Sequence, residues 1–279
     1  MVIKIVTDST ADIPPQLAEE LNITIVPLYV QFGGQSYRDR VEITEDEFYQ
    51  RLQTDPDHPT SAQPSPQDFA DAFDRIADGA EGIVAVHISE KMSGTISSAK
   101  QGAAMMKNPV PVEVVDSKFT SMPLGFVALV AARLAKTGKD LETVAGQTRE
   151  TVDKINLLVL FDTLKYIARG GRIGRAKALM GAMLSVKPLL AIKDGEFIPV
   201  GQVRNRAKGI ERLFEMAREA GDNIAELSII HSTTPDEANI LATRIGEFLS
   251  PDKIHIARFG PVLGVHGGPG VLAVAFRLK

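Results

Sequence analysis

The 279-residue sequence has no cysteine and only five histidines, which removes several kinds of chemistry at once. Without cysteine there are no disulfides, Fe–S clusters, cysteine-ligated zinc sites or thiol nucleophiles. The histidines form neither a His-Glu-x-x-His motif nor any pair at the spacing of metal ligands, so we expect no metal site. The most apolar run, residues 126–135, includes Arg133 and is too short to cross a bilayer, so we expect no transmembrane segment.

An excess of positive charge is also missing. The 31 lysines and arginines are outnumbered by 35 aspartates and glutamates, which gives a net charge of −4. Nucleic-acid binding depends on neutralising phosphates, so this balance argues against a nucleic-acid partner, although it leaves room for a local basic patch. The N-terminal residues lead straight into a strand pattern and lack the apolar segment of a signal peptide. Together with the absence of cysteine, these features favour a cytoplasmic protein.

What the sequence does contain is an alternation of Val- and Ile-rich runs with helical patterns. Four early runs are apolar on both faces, which is typical of strands in a mainly parallel sheet: residues 2–7, 23–30, 82–89 and 111–116. In the second half, Asp194-Gly195 separates two apolar runs, a hairpin signal that predicts a mixed sheet. The sequence therefore predicts an α/β protein with two domains, residues 1–155 and 156–279, in which helices flank each sheet.

Small hydroxyl residues follow several of the predicted strands. They include Ser9, Thr10, Ser117 and the Ser93-Gly94-Thr95 turn. In open parallel sheets, ligands bind beyond the carboxyl ends of the strands, and a helix beginning at Ser93-Gly94 can present free backbone N–H groups to an anion. Each of these residues alone is also a common helix cap or turn former, but several together favour a binding site.

Two further hydroxyls lie in the loop before a predicted helix that starts at Pro66. Ser65 is explained as the N-cap of that helix. Thr60 and Ser61 are not explained by capping, so they are candidates for contact with a ligand.

The segment Gly170-Gly171-Arg172-Ile173-Gly174 combines glycines with a single arginine. Glycines on both sides allow tight turns, and we expect them to present the guanidinium of Arg172 outward, where it can bind a phosphate or carboxylate. Basic residues nearby add to a local patch: Lys165, Arg169, Arg175 and Lys177. The alternative is a solvated helix end with a glycine C-cap.

His266 is an isolated histidine in the glycine-rich segment 260–270, which we expect to be a loop between two strands. It can donate a hydrogen bond to an anion or carry a proton near neutral pH, although an isolated histidine is usually structural. Common signatures are absent: a phosphate-binding loop, a dinucleotide-binding Gly-x-Gly-x-x-Gly and the Gly-x-Ser-x-Gly of hydrolases. A triad of Ser93, His266 and an aspartate stays open, with nothing in the sequence to support its geometry.

These segments, taken in order, resemble the DegV family of bacterial proteins. The resemblance covers essentially the whole chain, and it is the ordered set that is specific, since each motif alone is weak. The matching segments are residues 7–12, residues 60–66, Ser93-Gly94-Thr95, Val115-Asp116-Ser117, Gly170-Gly171-Arg172-Ile173-Gly174, Lys187-Pro188-Leu189-Leu190 and residues 264–270.

The resemblance implies a two-domain α/β protein of the EDD fold that binds a fatty acid such as palmitate, stearate or oleate between its domains, with no other cofactor and no catalytic residues of its own. The carboxylate would be held by Thr60 or Ser61 together with Ser93 and Gly94. Some members are the binding subunit of a two-component fatty acid kinase, in which a separate ATP-binding protein phosphorylates the bound fatty acid. In those members Arg172 and His266 would serve phosphoryl transfer or contact the partner.

The sequence departs from the family pattern at Ala62, which stands between Ser61 and Gln63 where the family commonly reads Thr-Ser-Gln-Pro-Ser. If Gln63 sets the register, Ser61 takes the role of the threonine, which we favour because the distance to the next helix is then kept. Three other functions stay open: a lipid carrier or sensor without a kinase partner; a Ser93–His266 acyl hydrolase or transferase; and a phospho-ligand module centred on Arg172. With or without a kinase partner, a lipid-binding protein would exchange its lipid by transient contact with a membrane.

Overall fold

The computed structural model describes residues 2–182 and 186–279. Helices and strands alternate along most of the chain, as the sequence predicts for an α/β protein. The strands are β1 (Ile3–Asp8), β2 (Ile23–Val26), β3 (Tyr29–Phe32), β4 (Gln35–Arg38), β5 (Thr60–Ala62), β6 (Gly82–His87), β7 (Val112–Asp116), β8 (Ile155–Leu160), β9 (Lys187–Lys193), β10 (Glu196–Val203), β11 (Ile224–His231), β12 (Ile254–Arg258) and β13 (Leu272–Leu278). The α-helices are α1 (Pro15–Glu20), α2 (Glu45–Thr54), α3 (Pro66–Ala77), α4 (Thr95–Ala104), α5 (Met122–Ala135), α6 (Leu141–Thr151), α7 (Lys165–Arg169), α8 (Arg206–Ala220), α9 (Pro235–Ile245) and α10 (Pro261–Gly267).

The first sheet has four parallel strands in the order β2-β1-β6-β7. Every residue of β6 is buried, which explains why its sequence is a continuous apolar run rather than an alternating one. Val84 and Val86 face one side, where they pack with the apolar helix α5, while Ile83 and Ala85 face the other, with Phe69 of α3. Helices therefore cover both faces of this sheet.

The second sheet has six strands in the order β10-β9-β8-β13-β11-β12, and all neighbours are antiparallel except β11 and β12. Asp194 and Gly195 connect β9 to β10 with positive φ angles of 52° and 83°, the conformation of a tight hairpin turn. The predicted mixed sheet is thus confirmed. The sheet begins with Ile155 of β8, and the predicted domain boundary near residue 155 stays a prediction.

One apolar core joins the two sheets. Val86 of β6, Leu129 of α5 and Val159 of β8 belong to the same buried cluster, so the facing sides of the sheets and the helix between them pack together. A second cluster, which includes Leu213 of α8, covers the far face of the second sheet.

Four segments differ from the sequence-based prediction. The predicted strand 23–30 is two strands, because Pro27 cannot donate to a ladder; β2 joins the parallel sheet, and β3 is the middle of a small antiparallel sheet in the order β4-β3-β5. The loop predicted at Thr60–Ala62 is β5. The loop predicted at 260–270 contains α10, which starts with a proline at the first helical position.

The residue pattern over 176–184 also predicts a helix. The structure has a 3₁₀ helix there, Gly174–Ala182, and the last part of the predicted segment, from residue 183, lies outside the described residues. Shorter 3₁₀ helices are Ser9–Ala11, Val152–Lys154, Gly221–Asn223 and Pro251–Lys253. No helix in the part of the chain that the structure describes is both long and apolar enough to span a membrane.

Candidate functional site

A cavity of about 330 Å³ lies where the two sheets and the small β4-β3-β5 sheet meet. Its volume is at the lower end of the range for small-molecule sites. Most of its wall is apolar: Leu28, Ala62, Ile88, Met92, Phe161, Ile167, Phe197, Phe259, Val262, Leu263 and Gly267. Six polar residues complete it: Ser61, Gln63, Ser93, Thr120, Arg172 and His266.

Ser61 and His266 form a direct pair in this cavity. The Oγ of Ser61, on β5, lies 2.7 Å from Nε2 of His266, in the last turn of α10. Burial of the ring, together with the charges of Arg172 and His58, lowers the pKa of His266 to about 4. The imidazole is therefore neutral at pH 7, and its Nδ1 is buried without a hydrogen-bond partner among the described residues.

Gly170 is required beside this histidine. A Cβ at position 170 would lie 2.1 Å from Nδ1 of His266, so any other residue would displace the ring. The Gly-Gly-Arg motif thus has two roles: it supplies Arg172, and its first glycine lets the backbone lie directly against the His266 ring.

Arg172 closes the solvent side of the cavity. Its Nε donates to the carbonyl oxygen of Met92 at 3.1 Å, and its Nη1 donates to that of Gly170 at 2.8 Å. Arg172 is exposed, as the sequence predicts for an outward guanidinium, and the two carbonyls hold its side chain at the edge of the cavity. Gly171, with φ of 72°, provides the turn that makes this possible.

The residues of the predicted basic patch do not lie together in the structure. Arg175 is paired with Glu196, since its Nε lies 3.2 Å from Oε1 of that residue. Lys165 and Arg169 are exposed and line a small polar pocket beside His58, on the outer side of α7. Only Arg172 reaches the cavity itself.

Ser93 lies in the turn between β6 and α4, and its Oγ is 2.8 Å from Oγ1 of Thr95. Gly94 is the N-cap residue of α4 and lies behind Gln63: a Cβ at position 94 would be 2.5 Å from Oε1 of that side chain. Of this predicted turn, Ser93 lines the cavity, and Gly94 makes room for Gln63, whose side chain lines the cavity.

Thr60 lies outside the cavity. Its hydroxyl is exposed and donates to Oε1 of Gln31 on β3 at 3.0 Å. The prediction that Thr60 contacts the ligand is therefore corrected: Ser61, the next residue along β5, points to the site instead. This orientation agrees with the register in which Ser61 takes the role of the family's threonine.

Hydroxyls at the ends of the other strands serve the fold. Ser9 Oγ accepts from the backbone N–H of Leu28. Thr10 donates from its backbone N–H and its hydroxyl to Oδ1 of Asp8. The Ser117 hydroxyl donates to the carbonyl of Phe119 and accepts from its N–H. These residues are buried and act as caps and turn formers, which was the alternative that the sequence left open.

Two kinds of lining residue were missed in the sequence. Thr120, in the connection between β7 and α5, is buried, and its Oγ1 has no hydrogen-bond partner in residues 2–182 and 186–279. Phe161 and Phe197 form part of the apolar wall with their rings 6.0 Å apart, edge to face. Thr120 follows the end of a parallel strand, as Ser117 does, and this position was the one signal for it in the sequence.

The geometry favours binding over hydrolysis. His266 pairs with Ser61 rather than with Ser93, and within the described ranges no carboxylate orients its Nδ1, as a Ser-His-Asp triad requires. The cavity is instead an apolar chamber with hydroxyls, a neutral imidazole and one guanidinium. Such an arrangement suits an amphiphile with one polar group.

Comparisons with known proteins agree along the whole chain. A family model described as "Uncharacterised protein, DegV family" matches residues 2–279. A DegV domain-containing protein of Streptomyces coelicolor is 39% identical over 276 residues, which is 98% of this chain and 97% of that protein.

Solved structures show the same fold. A DegV family protein from Thermus thermophilus, described as fatty acid binding, has a TM-score of 0.92 at 32% identity, with 100% of both chains covered. DegV of Bacillus subtilis, described as a fatty acid binding protein, has a TM-score of 0.89 at 29% identity, again with 100% of both chains covered. Since the family model and these relatives match the chain from end to end, the chain belongs to the DegV family.

Proposed function

We propose that this protein binds one long-chain fatty acid in the cavity between its sheets, with the carboxylate held by the hydroxyls of Ser61 and Ser93 and with His266 orienting the Ser61 hydroxyl. The observation that carries this proposal is the chemistry of the cavity wall, which is apolar over most of its extent and carries hydroxyls and an imidazole near Arg172. The relatives from Thermus thermophilus and Bacillus subtilis, which are described as fatty acid binding, support the same ligand class.

Burial of the alkyl chain supplies the affinity. A chain of roughly 15 methylenes gains about 12 kcal/mol when it leaves water, at about 0.8 kcal/mol for each CH₂. Loss of ligand freedom and ordering of side chains offset a large part of this gain. An unpaired carboxylate in the cavity would offset much of the rest, so the polar group of the ligand needs donors.

The Ser61–His266 pair provides such a donor while both groups stay neutral. When Nε2–H of His266 donates to Oγ of Ser61, the Ser61 hydroxyl is free to donate to a carboxylate oxygen. Ser93 adds a second hydroxyl, and the nearby guanidinium of Arg172 contributes a favourable charge. In this proposal the hydroxyls of Ser61 and Ser93 donate to the carboxylate, and the charge of Arg172 stabilises it from nearby.

We further propose that the bound carboxylate is presented to a separate ATP-binding kinase. The sequence has no nucleotide-binding motif, so the nucleotide would be held by the partner. In the transfer, a carboxylate oxygen bonds to the γ-phosphorus, the bond from that phosphorus to the β–γ bridging oxygen breaks, and ADP leaves. Arg172 lies on the solvent side of the cavity, where its charge would stabilise the transferring phosphoryl group.

Titration of delipidated protein with oleate tests the binding proposal, and addition of the kinase partner with ATP tests the second part. We expect saturable binding with one site per chain, and acyl-phosphate formation only when protein, partner and ATP are all present. Binding without acyl-phosphate formation would contradict the kinase partnership and would indicate that the protein is a lipid carrier or sensor. Absence of binding would contradict both parts.

A further inference from the structure

Gln63 is a polar residue of the cavity wall that lies directly after β5. Side chains two positions apart along an extended segment point to the same side, so Gln63 shares its side of the chain with Ser61, which also lines the cavity. Gln63 is exposed, whereas wall residues such as Ile88 and Phe161 are buried. Its side chain therefore lies at the opening of the cavity, on the same side as the proposed carboxylate site.

Gly94 makes room for the side-chain amide of Gln63 at the start of α4. A Cβ at position 94 would lie 2.5 Å from Oε1, 2.6 Å from Nε2 and 2.8 Å from Cδ, so the amide covers the backbone where another side chain would be. The φ angle of Gly94, −76°, is one that any residue adopts, so the backbone conformation does not require glycine here. Ser93 precedes Gly94 and lines the cavity, so the amide lies next to the second hydroxyl of the proposed site as well.

The amide can donate to a ligand while it stays in this position. Its Nε2 donates to Oγ of Ser98 at 3.4 Å, which is longer than the usual range of about 2.7–3.2 Å for such a bond. An amide nitrogen carries two N–H groups, and a serine hydroxyl can either accept or donate. Whichever way the amide is turned, Ser98 therefore leaves at least one N–H of Gln63 for another acceptor.

We propose that Gln63 is a specificity-determining residue that selects ligands with a free carboxylate, because its amide N–H donates to a carboxylate oxygen. This inference rests on the proposed fatty-acid function, since it assumes a carboxylate beside the hydroxyls of Ser61 and Ser93. A hydrogen bond to a charged oxygen is about twice as strong as one to a neutral group. The amide therefore favours a fatty acid over an alcohol with the same chain.

The test compares oleate with oleyl alcohol, which has the same chain and a neutral head group, on delipidated protein. We expect Gln63→Ala to weaken oleate binding about 20-fold and oleyl alcohol binding about five-fold or less. Gln63→Glu keeps the shape of the side chain, but a carboxylate cannot donate and repels the charge of the ligand. It should therefore weaken oleate binding further, and it should bind oleyl alcohol at least as tightly as Gln63→Ala does. Gln67→Ala is the control, because this exposed glutamine of α3 donates to Asp71 at 2.8 Å and should not affect either ligand.

Gly94→Ala tests the position of the amide. The added methyl group would displace the amide, so we expect a loss of oleate affinity close to that of Gln63→Ala. In a protein that already carries Gln63→Ala, the same methyl group meets no amide and should have little further effect.

Equal losses of affinity for the two ligands in Gln63→Ala and Gln63→Glu would make Gln63 a packing residue and would overturn the proposal. Additive effects of Gly94→Ala and Gln63→Ala would also overturn it, because the amide would then not depend on the space at position 94. Wild-type protein that does not bind oleate would contradict the proposed fatty-acid function instead, so the two failures are distinguishable.

Discussion

Ser61 Oγ and His266 Nε2 lie 2.7 Å apart although the two residues are separated by 205 positions in the chain. The pair exists because the short strand β5 and the helix α10 both border the cavity. The hydroxyl, the neutral imidazole and the nearby guanidinium of Arg172 form a polar group at the edge of an apolar chamber. That relationship is the basis of the proposed carboxylate site.

Removal of either hydroxyl at this site should weaken fatty-acid binding. We expect Ser61→Ala and Ser93→Ala each to raise the free energy of binding by about 1.5–3 kcal/mol, the usual effect of losing a hydrogen bond to a charged group. Titration of delipidated protein with oleate measures the change. Thr60→Ala is the matched control, since its hydroxyl is exposed and bonds Gln31 outside the cavity. A larger effect for Thr60→Ala than for Ser61→Ala would contradict our assignment of β5.

Substitution of Arg172 should separate transfer from binding. Arg172→Gln removes the charge next to the carboxylate, and we expect acyl-phosphate formation with the kinase partner to fall about 100-fold or more. Fatty-acid affinity should change by less than about ten-fold, because the alkyl chain supplies most of it.

Arg175→Gln is the control for the arginine experiment. It lies three positions further along and is paired with Glu196, so its loss should leave both assays near the wild-type values. Normal acyl-phosphate formation by Arg172→Gln would remove this residue from the proposed transfer. Loss of binding comparable to the loss of transfer would make it a ligand-holding residue instead.

The lowered pKa of His266 makes a prediction about stability at acidic pH. With its pKa near 4 in the fold and near 6.5 in the unfolded chain, the unfolded state binds more protons between these values. Its contribution to the free energy of unfolding is thus complete above about pH 6.5 and is lost as the pH falls toward about 4. The full effect is on the order of 3 kcal/mol.

Urea unfolding of lipid-free wild type and His266→Gln from pH 7 to pH 4 measures this contribution. Other titrating groups act in both proteins, so the difference between the two curves isolates His266. We expect wild type to lose more stability than the variant over this range. Curves that stay parallel would show that the imidazole is not held in its neutral form by the fold.

The ion pair between Arg40 and Asp12 should stabilise the element that carries His266. Arg40 Nη2 lies 2.7 Å from Oδ1 of Asp12, whose side chain is completely buried, and the same carboxylate accepts from the N–H of Gly260, just before α10. Removing one partner of a buried pair leaves the other charge uncompensated. We therefore expect Arg40→Met to lower the free energy of unfolding by about 3–5 kcal/mol.

Arg38→Met is the comparison for Arg40→Met, because the ion pair of Arg38 with Glu42 is exposed and is expected to contribute at most about 1 kcal/mol. The double variant Asp12→Asn with Arg40→Met should be more stable than the sum of the single changes predicts. Strict additivity would show that the two side chains do not stabilise each other.

Much of the fold could be predicted because local signals agree with the final structure. Buried parallel strands read as continuous apolar runs, and Asp194-Gly195 has the backbone freedom that a tight hairpin needs. The capping of α3 by Ser65, with its hydroxyl accepting from Asp68 N–H, also follows from the sequence. In each case the residues that carry the signal are neighbours in the chain.

The site was less predictable because its geometry depends on contacts between distant segments. The three-residue strand β5 exists through pairing with β3, so no periodicity in the sequence distinguishes Ser61 from Thr60. The orientation of Arg172 depends on the carbonyl of Met92, which is 80 positions away. Thr120 was missed for the same reason, since only the folded chain shows that this residue lines the cavity.

The most direct test of the central proposal is mass spectrometry of an organic extract from the purified protein. We predict close to one long-chain fatty acid per chain, and we predict that the delipidated protein takes up added palmitate or oleate to the same ratio. A lipid-free preparation that also refuses both added fatty acids would contradict the assignment of the cavity as a fatty-acid site.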